Sequence, residues 1–464
     1  MDVKRQKKQI QSKLPFIVAR RGETLKTAKR VETSTAKHNT ERPAETEIER
    51  LMEEVVNPMN LSKALKRVIQ NKGSPGIDGM TVRELHPYLK ENWPKIHNQL
   101  LNGTYQPLPV KRVEIPKSSG GVRKLGIPTV IDRLIQQMLL QVLQKRWDST
   151  FSQHSYGFRP GRSAHQAVAQ AQKYIEESYY WVVDIDLEKF FDRVNHDILM
   201  GLLSKQVKDK RVLKVIRAFL NAGVMECGLV SNTNEGTPQG GPLSPLLSNI
   251  ILDVLDKELE KRGHKFVRYA DDSNIYVQSK RAGERVMKSI TRFLECKLKL
   301  KVNQQKSAVA RVDERKFLGF RFIIAKRVLR GIAPEALKRF KNQVRQITRR
   351  SCGKCIEKVI KELSPYLRGW VGYFGFCETT SELRSLDSWI RHRLRCMLWK
   401  QWKTPKKRSK ELRQRGLKGK WVKLTAISSK GPWHISKTKS LCITLPNRYF
   451  DTIGLYRLAN AKSA

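Results

Sequence analysis

The chain has 464 residues, 39% of them hydrophobic, with 91 Lys/Arg against 43 Asp/Glu and a formal net charge of +48. At roughly 150 residues per domain this predicts about three domains, and the charge calls for a polyanionic partner: nucleic acid first, with a basic assembly protein as the plain alternative. No run of about 18 apolar residues exists to cross a membrane, residues 14–19 are too short a stretch for a secretory signal, and seven sparse cysteines fit a reducing cytosol better than a disulfide scaffold.

Residues 1–45 carry 12 Lys/Arg and 5 Asp/Glu with almost no apolar periodicity, and read as a disordered basic tail. An amphipathic helix follows, with Ile48, Leu51, Met52, Val55 and Val56 on one face. It breaks at Asn57-Pro58 before a second helix with Leu61, Leu65, Val68 and Ile69. Asn71 to Gly79 holds three glycines and a proline in nine residues, Gly73, Pro75, Gly76 and Gly79, which predicts a structured loop. Residues 110–116 and 122–127 read as strands around Gly120-Gly121, and 131–147 as a helix. Further on, 166–177 is helical, 181–185 is a β-branched strand, helices are expected near 196–206, 211–221 and 242–261, and 266–277 is a hairpin-like pair. This interleaving predicts an α+β or α/β domain.

From about 330 the pattern turns helical. Leu337, Phe340, Val344 and Ile347 share a face, and Thr379-x-x-Glu382 has capping-box spacing ahead of Leu383, Leu386, Ile390, Leu394 and Met397. A three-helix domain is expected over about 330–405, with a small basic segment over 406–464. Residues 321–464 carry 35 Lys/Arg against 8 Asp/Glu.

Two acidic segments point to chemistry. Asp271 and Asp272 sit side by side between the apolar strands 266–269 and 273–277. Adjacent carboxylates repel unless a cation lies between them; an ordinary Asp-rich turn is the bland reading. Strand 181–185 runs on to Asp186, and Asp184 and Asp186 point the same way by alternation. Periodicity does not choose between those two. If this strand lies beside the hairpin, three carboxylates converge into a hard-oxygen site suited to Mg²⁺.

The set resembles a known family. The Asp-x4-Phe pattern starting at Asp186, Pro238-Gln239-Gly240, and Tyr269-Ala270-Asp271-Asp272 are similar to reverse-transcriptase motifs A, B and C, in the family's order. Gly236-Thr237-Pro238-Gln239-Gly240-Gly241-Pro242-Leu243-Ser244-Pro245 and Tyr156-Gly157-Phe158-Arg159-Pro160-Gly161-Arg162 look more specifically like group II intron-encoded reverse transcriptases. The resemblance runs from about residue 46 to the C-terminus.

The resemblance implies an α+β right-hand polymerase. It would have an N-terminal extension and fingers over 46–130, a ferredoxin-like palm with the remaining fingers over 131–325, a helical thumb or maturase domain over 330–405, and a basic DNA-binding domain over 406–464. It selects Asp186, Asp271 and Asp272 as catalytic metal ligands for two Mg²⁺ ions, with Leu187 beside them in the metal set. Phe191 becomes the bulky residue under the sugar that disfavours a 2′-hydroxyl; a core aromatic is its plain alternative. Lys117 and Arg123 would meet the triphosphate, and Gln239 and Ala270 the nucleotide. Phe317, Leu318 and Gly319 would form the primer grip, whose plain reading is a hydrophobic strand end packing on the palm. Lys306 resembles a possible general acid. The loop with Asn71, Gly73, Pro75, Gly76 and Gly79 would cover template and primer terminus. Trp399, Trp402, Lys406, Lys407 and Arg408 mix rings with charge as nucleic-acid grooves do; core tryptophans on a solvated basic face are the alternative.

The implied partners are a group II intron RNA, an RNA template with a DNA primer, a DNA target and dNTPs, in the bacterial cytoplasm near the nucleoid. Cys352-x-x-Cys355 is a lone pair and reads as incidental rather than zinc-binding. The endonuclease module of many relatives is not matched, as in the endonuclease-free, class C-like lineage.

Overall fold

A computed structural model describes residues 50–116, 121–226, 229–231, 235–237, 240–351 and 353–459. The expected basic tail, Lys117, Gln239 and Cys352 lie outside the described residues, as does the side chain of Arg123. Helices and strands mix throughout, as expected. Among the described residues no helix is long and apolar enough to cross a membrane.

The strands, in chain order, are β1 (Val110–Pro116), β2 (Val122–Ile127), β3 (Trp181–Ile185), β4 (Val224–Glu226), β5 (Leu229–Ser231), β6 (Lys265–Tyr269), β7 (Asp272–Val277), β8 (Ala308–Arg311), β9 (Lys316–Phe317), β10 (Phe320–Ile324) and β11 (Val328–Ile332). The chain divides into two compact units. The first holds residues 1–163, 183–275 and 281–309; the second holds 164–182, 276–280 and 310–464.

The first unit contains the chemistry-bearing segments. Asn57 ends one helix (Leu51–Val56) and caps the next (Pro58–Asn71), its side chain accepting from the Met59 amide with Pro58 in the first turn. The proline that breaks one helix therefore starts another. A helix at Leu85–Leu101 was not foreseen. Leu85, Leu89, Trp93, Ile96 and Leu100 do bury one stripe, but Pro94 lies inside the helix and masks the pattern. β2-β1-β4-β5 form one sheet, with β1 and β2 antiparallel (Lys111 opposite Ile127, Pro116 opposite Val122). A second sheet has the order β6-β7-β3-β8, which places β3 directly beside β7. Its strands are apolar inside: within the first unit Val183, Ile185, Phe266, Val267 and Ile275 are all buried.

In the second unit β11-β10-β9 form a three-stranded sheet. Helices at Pro334–Ile347, Ile356–Phe374 and Thr380–Gln401 fill the expected three-helix region. Thr379 and Glu382 mark the start of the third helix as their spacing predicts. The hydroxyl, however, donates to the Glu382 carboxylate (2.8 Å) instead of capping an amide. Five shorter helices follow from Pro405 to Thr452.

Candidate active site

The acidic turn is a two-residue connection between β6 and β7. Ala270 adopts a left-handed conformation (φ 58°), unusual for alanine. Its carbonyl accepts from Arg268 Nη1 at 2.9 Å. Gly157 lies against it, and a Cβ there would collide with the Ala270 amide nitrogen. The turn carries Asp271 and opens β7 with Asp272.

β3 delivers the other acids. Asp184 and Asp186 are half-buried, and the chain leaves the sheet at Asp186. That residue is fixed through its main chain: its N–H donates to Ser307 Oγ (3.0 Å) and its carbonyl accepts from the Asn303 N–H (2.8 Å). The Glu188 N–H donates to the Lys301 carbonyl (2.8 Å), so Leu187 sits opposite Val302 with its own carbonyl outside that pairing. Ser307 was missed in the sequence, where it is one hydroxyl beside Lys306. The exposed Lys306 ammonium stands 3.4 Å from Asp186 Oδ2.

Asp272 feels the other three carboxylates. The Asp272 carboxyl is pushed up to about 7, first by desolvation at this crowded edge and then by the charges of Asp271, Asp184 and Asp186, with Lys306 pulling the other way. The residue as a whole nonetheless keeps open surface. As placed, no three such side chains among the described residues close around a single ion. The donor set is carboxylate oxygen only, the chemistry that suits a hard cation such as Mg²⁺.

Phe191 follows in a 3-10 turn (Phe190–Asp192), half-buried, its ring edge-on to buried Phe190 at 5.3 Å. The Thr237 N–H donates to the Phe191 carbonyl (2.6 Å). A Cβ at Gly236 would stand 3.0 Å from Asp192 and from the Phe191 carbonyl. Four residues on, Gly240 (φ 136°) lies against the Gly126 carbonyl of β2. The glycines thus let Gly236 approach the Phe191 turn and Gly240 approach β2. This brings the flanks of Gln239 and the strand of Arg123 to the same neighbourhood.

The Asn71–Gly79 loop is anchored. Arg133 Nη2 donates to the Ser74 carbonyl (2.6 Å), and a Cβ on Gly76 would stand 2.7 Å from Thr129 Cα. Gly73 faces the Arg133 guanidinium, Pro75 is half-buried, and Gly79 (φ 71°) is open.

The second unit carries the expected primer-grip residues. Phe317, Leu318 and Gly319 form the tight β9–β10 turn, with Leu318 at φ 51° and Gly319 at φ 82°. Tyr373 Oη donates to the Leu318 carbonyl (2.8 Å). Phe320, next in the chain, is buried among Tyr373, Phe374, Phe376 and His165 of its own unit.

The basic aromatic segment also needs correction. Trp399 and Trp402 are 1% and 4% exposed and have no face for a base. Arg408 lies over the Trp399 ring (4.6 Å) and donates to the Trp402 carbonyl (2.9 Å), so it packs the interior too. Lys406 and Lys407 remain exposed. Trp421 and Trp433 are exposed in this region; Trp421 sits on a helix (Lys420–Ala426) that also carries Lys423 and, three residues on, exposed Leu424, and exposed Ile427 follows at its C-cap. That three-residue spacing was the available signal.

Residues 115–322 match the family described as reverse transcriptase (RNA-dependent DNA polymerase), and residues 337–416 match the group II intron, maturase-specific domain. The class is therefore that of RNA-directed DNA polymerases. Protein YkfC of Escherichia coli (strain K12) is 33% identical, the match covering 60% of this chain and 83% of that protein. The group II intron-encoded protein LtrA of Lactococcus lactis subsp. cremoris is 37% identical over 47% of this chain and 36% of LtrA. The putative COX1/OXI3 intron 2 protein of Saccharomyces cerevisiae is 32% identical over 50% of this chain and 26% of that protein. The chain thus spans little more than a third of LtrA and about a quarter of the yeast protein. It belongs to the group II intron reverse transcriptase/maturase family.

Proposed function

We propose that this chain binds its host group II intron RNA to assist splicing and copies that RNA into DNA during retrohoming. The carrying observation is that Asp184, Asp186 and Asp271 all lie within the field of Asp272 where β3 ends beside the start of β7. In this reading residues 46–130 supply the N-terminal extension and fingers, 131–325 a ferredoxin-like palm with the remaining fingers, 330–405 the thumb or maturase domain, and 406–464 a small DNA-binding domain.

Asp186, Asp271, Asp272 and the Leu187 carbonyl would hold two Mg²⁺ ions. When bound, the ions activate the primer 3′-hydroxyl and neutralise the leaving pyrophosphate. Lys306, tethered beside Asp186, is placed to give a proton to that leaving group. Lys117 and Arg123 would bind the triphosphate of the incoming dNTP, with Gln239 and the Ala270 turn against the nucleotide. The Asn71–Gly79 loop would cover the template and primer terminus, and the Phe317-Leu318-Gly319 turn the primer strand. Lys406, Lys407 and Trp421 present charge and a ring to the intron RNA or the DNA target; the buried Trp399 and Trp402 are not offered for that role.

Phe191→Ala tests the nucleotide pocket. Discrimination between dNTP and NTP, read as the ratio of kcat/KM on an RNA template, should fall by about 10²-fold, the scale on which an apolar wall rejects one added hydroxyl. An unchanged ratio would remove the ring from that role. The maturase half is tested by splicing of the host intron RNA at low Mg²⁺. Addition of the chain should accelerate splicing at least about tenfold, whereas splicing that ignores it would leave only the copying activity.

A further inference from the structure

Arg268 lies two residues before the acidic turn and is fully buried, as is its partner Asp256. An arginine has five N–H donors and no acceptor. Here all five are used. Nε bonds the Asp256 carboxylate (2.7 and 3.0 Å), and Nη2 bonds Asp256 Oδ2 (2.6 Å) and Ser155 Oγ (2.7 Å). Nη1 bonds Asn249 Oδ1 (2.9 Å) and the Ala270 carbonyl (2.9 Å). Asn249 in turn donates to the Gly157 carbonyl (2.9 Å), and Gly157 is the residue that abuts the Ala270 amide. The main chain of Arg268 also pairs with its neighbours: it donates to the His154 carbonyl and accepts from the Tyr156 N–H, both at 2.9 Å.

Three segments distant in sequence therefore meet on one guanidinium: Ser155 to Gly157, the Ser244–Lys261 helix through Asn249 and Asp256, and the β6–β7 turn. A buried ion pair is weak evidence for stability in itself, since an apolar pair of similar volume often serves as well. This one does something an apolar pair does not. One of its donors ends on the carbonyl of Ala270, the residue held left-handed between Arg268 and Asp271. We propose that Arg268, oriented by Asp256, Asn249 and Ser155, is a positioning residue that holds the Ala270–Asp271 turn so that Asp271 and Asp272 present their carboxylates together to a divalent cation. The proposal rests on the reading of those acids as the metal site.

The test uses the full chain and Mn²⁺ as the probe. Free Mn²⁺ is followed by electron paramagnetic resonance, alongside the Mg²⁺ dependence of primer extension and the melting temperature. Arg268→Lys keeps the charge but loses the fork. The double variant Arg268→Met/Asp256→Leu removes both charges and keeps the volume. Asn249→Ala removes one arm and leaves the ion pair, so it remains informative if the other two do not fold. In the variants that fold, Mn²⁺ binding should weaken about tenfold for Arg268→Lys and the double variant and about threefold for Asn249→Ala. Half-saturating Mg²⁺ should rise in parallel, with affinity for RNA–DNA duplex unchanged. Folded variants that keep wild-type Mn²⁺ affinity and Mg²⁺ dependence would overturn the positioning role. Asp271→Ala, run beside them, separates the two readings. If it abolishes Mn²⁺ binding while the Arg268 and Asn249 variants do not, only the positioning role fails. If it leaves Mn²⁺ binding intact, the metal-site reading fails.

Discussion

Asp271→Ala/Asp272→Ala is expected to slow primer extension on an RNA template by at least about 10³-fold, measured in a single turnover at saturating dNTP. Deleting one preorganised electrostatic group from an active site costs about 10²–10³, and this variant deletes two groups that would hold the catalytic ions. The same change should leave the fold intact. Both residues sit at the open end of β6–β7, and Asp272 keeps open surface. Four carboxylates crowd this edge, and their repulsion adds to desolvation, the larger cause, in pushing the Asp272 carboxyl up to about 7. Removing two of them relieves that repulsion, so in chelator the melting temperature should stay the same or rise. A collapse of the melting temperature would instead make the pair structural.

The second large effect is expected from Gly240→Ala. At φ 136° an L-residue is strained by about 1–3 kcal/mol, and the new methyl would also press on the Gly126 carbonyl of β2. Relief requires the chain at residue 240 to move away from β2, and in the proposed reading that carries Gln239, one residue back, out of position toward the nucleotide. A displacement of about 1 Å in a positioning element can cost about 10²-fold in rate, so kcat/KM for dNTP should fall by about that factor. Gly201→Ala is the control. Gly201 lies inside the His196–Gln206 helix with nothing near its added methyl, so that change should be neutral or slightly stabilising. Equal effects from the two would contradict the tight approach at Gly240.

Much of the site was legible because its signal is local. Asp271 and Asp272 fall between two short strands that carry Phe266, Val267, Ile275, Tyr276 and Val277, and two adjacent charges there stand out. The strand carrying Asp184 and Asp186 was equally plain from Trp181 to Ile185. What periodicity did not supply was the choice between those acids, and the geometry keeps both within reach of Asp272's field. The resemblance to a family, not spacing, singled out Asp186.

The features that were missed depend on distant partners or conflicting local signals. Arg268 is one of 91 basic residues until Ser155, Asn249 and Asp256 are seen around it. The Leu85–Leu101 helix hid behind its internal proline, which tertiary packing tolerates. Trp399 and Trp402 were misjudged because lysines flank them. Trp399 lies on the face opposite Ile390, Leu394 and Met397, and that face is buried as well, with His392 and Arg395 on it, so the helix is enclosed on both sides. Trp421 was passed over although Leu424 and Ile427 repeat at the same spacing, because the surrounding basic residues drew no line between stem and surface.

The most direct test of the central claim is extension of a DNA primer along an RNA template with dNTPs and Mg²⁺ by the wild-type chain. Binding to the structured host intron RNA should be measured in the same preparation. The account predicts templated DNA synthesis that depends on Asp271 and Asp272, together with tight intron binding that does not. Tight intron binding with no synthesis by the wild type would contradict it and leave a splicing cofactor that has kept the acids without their chemistry.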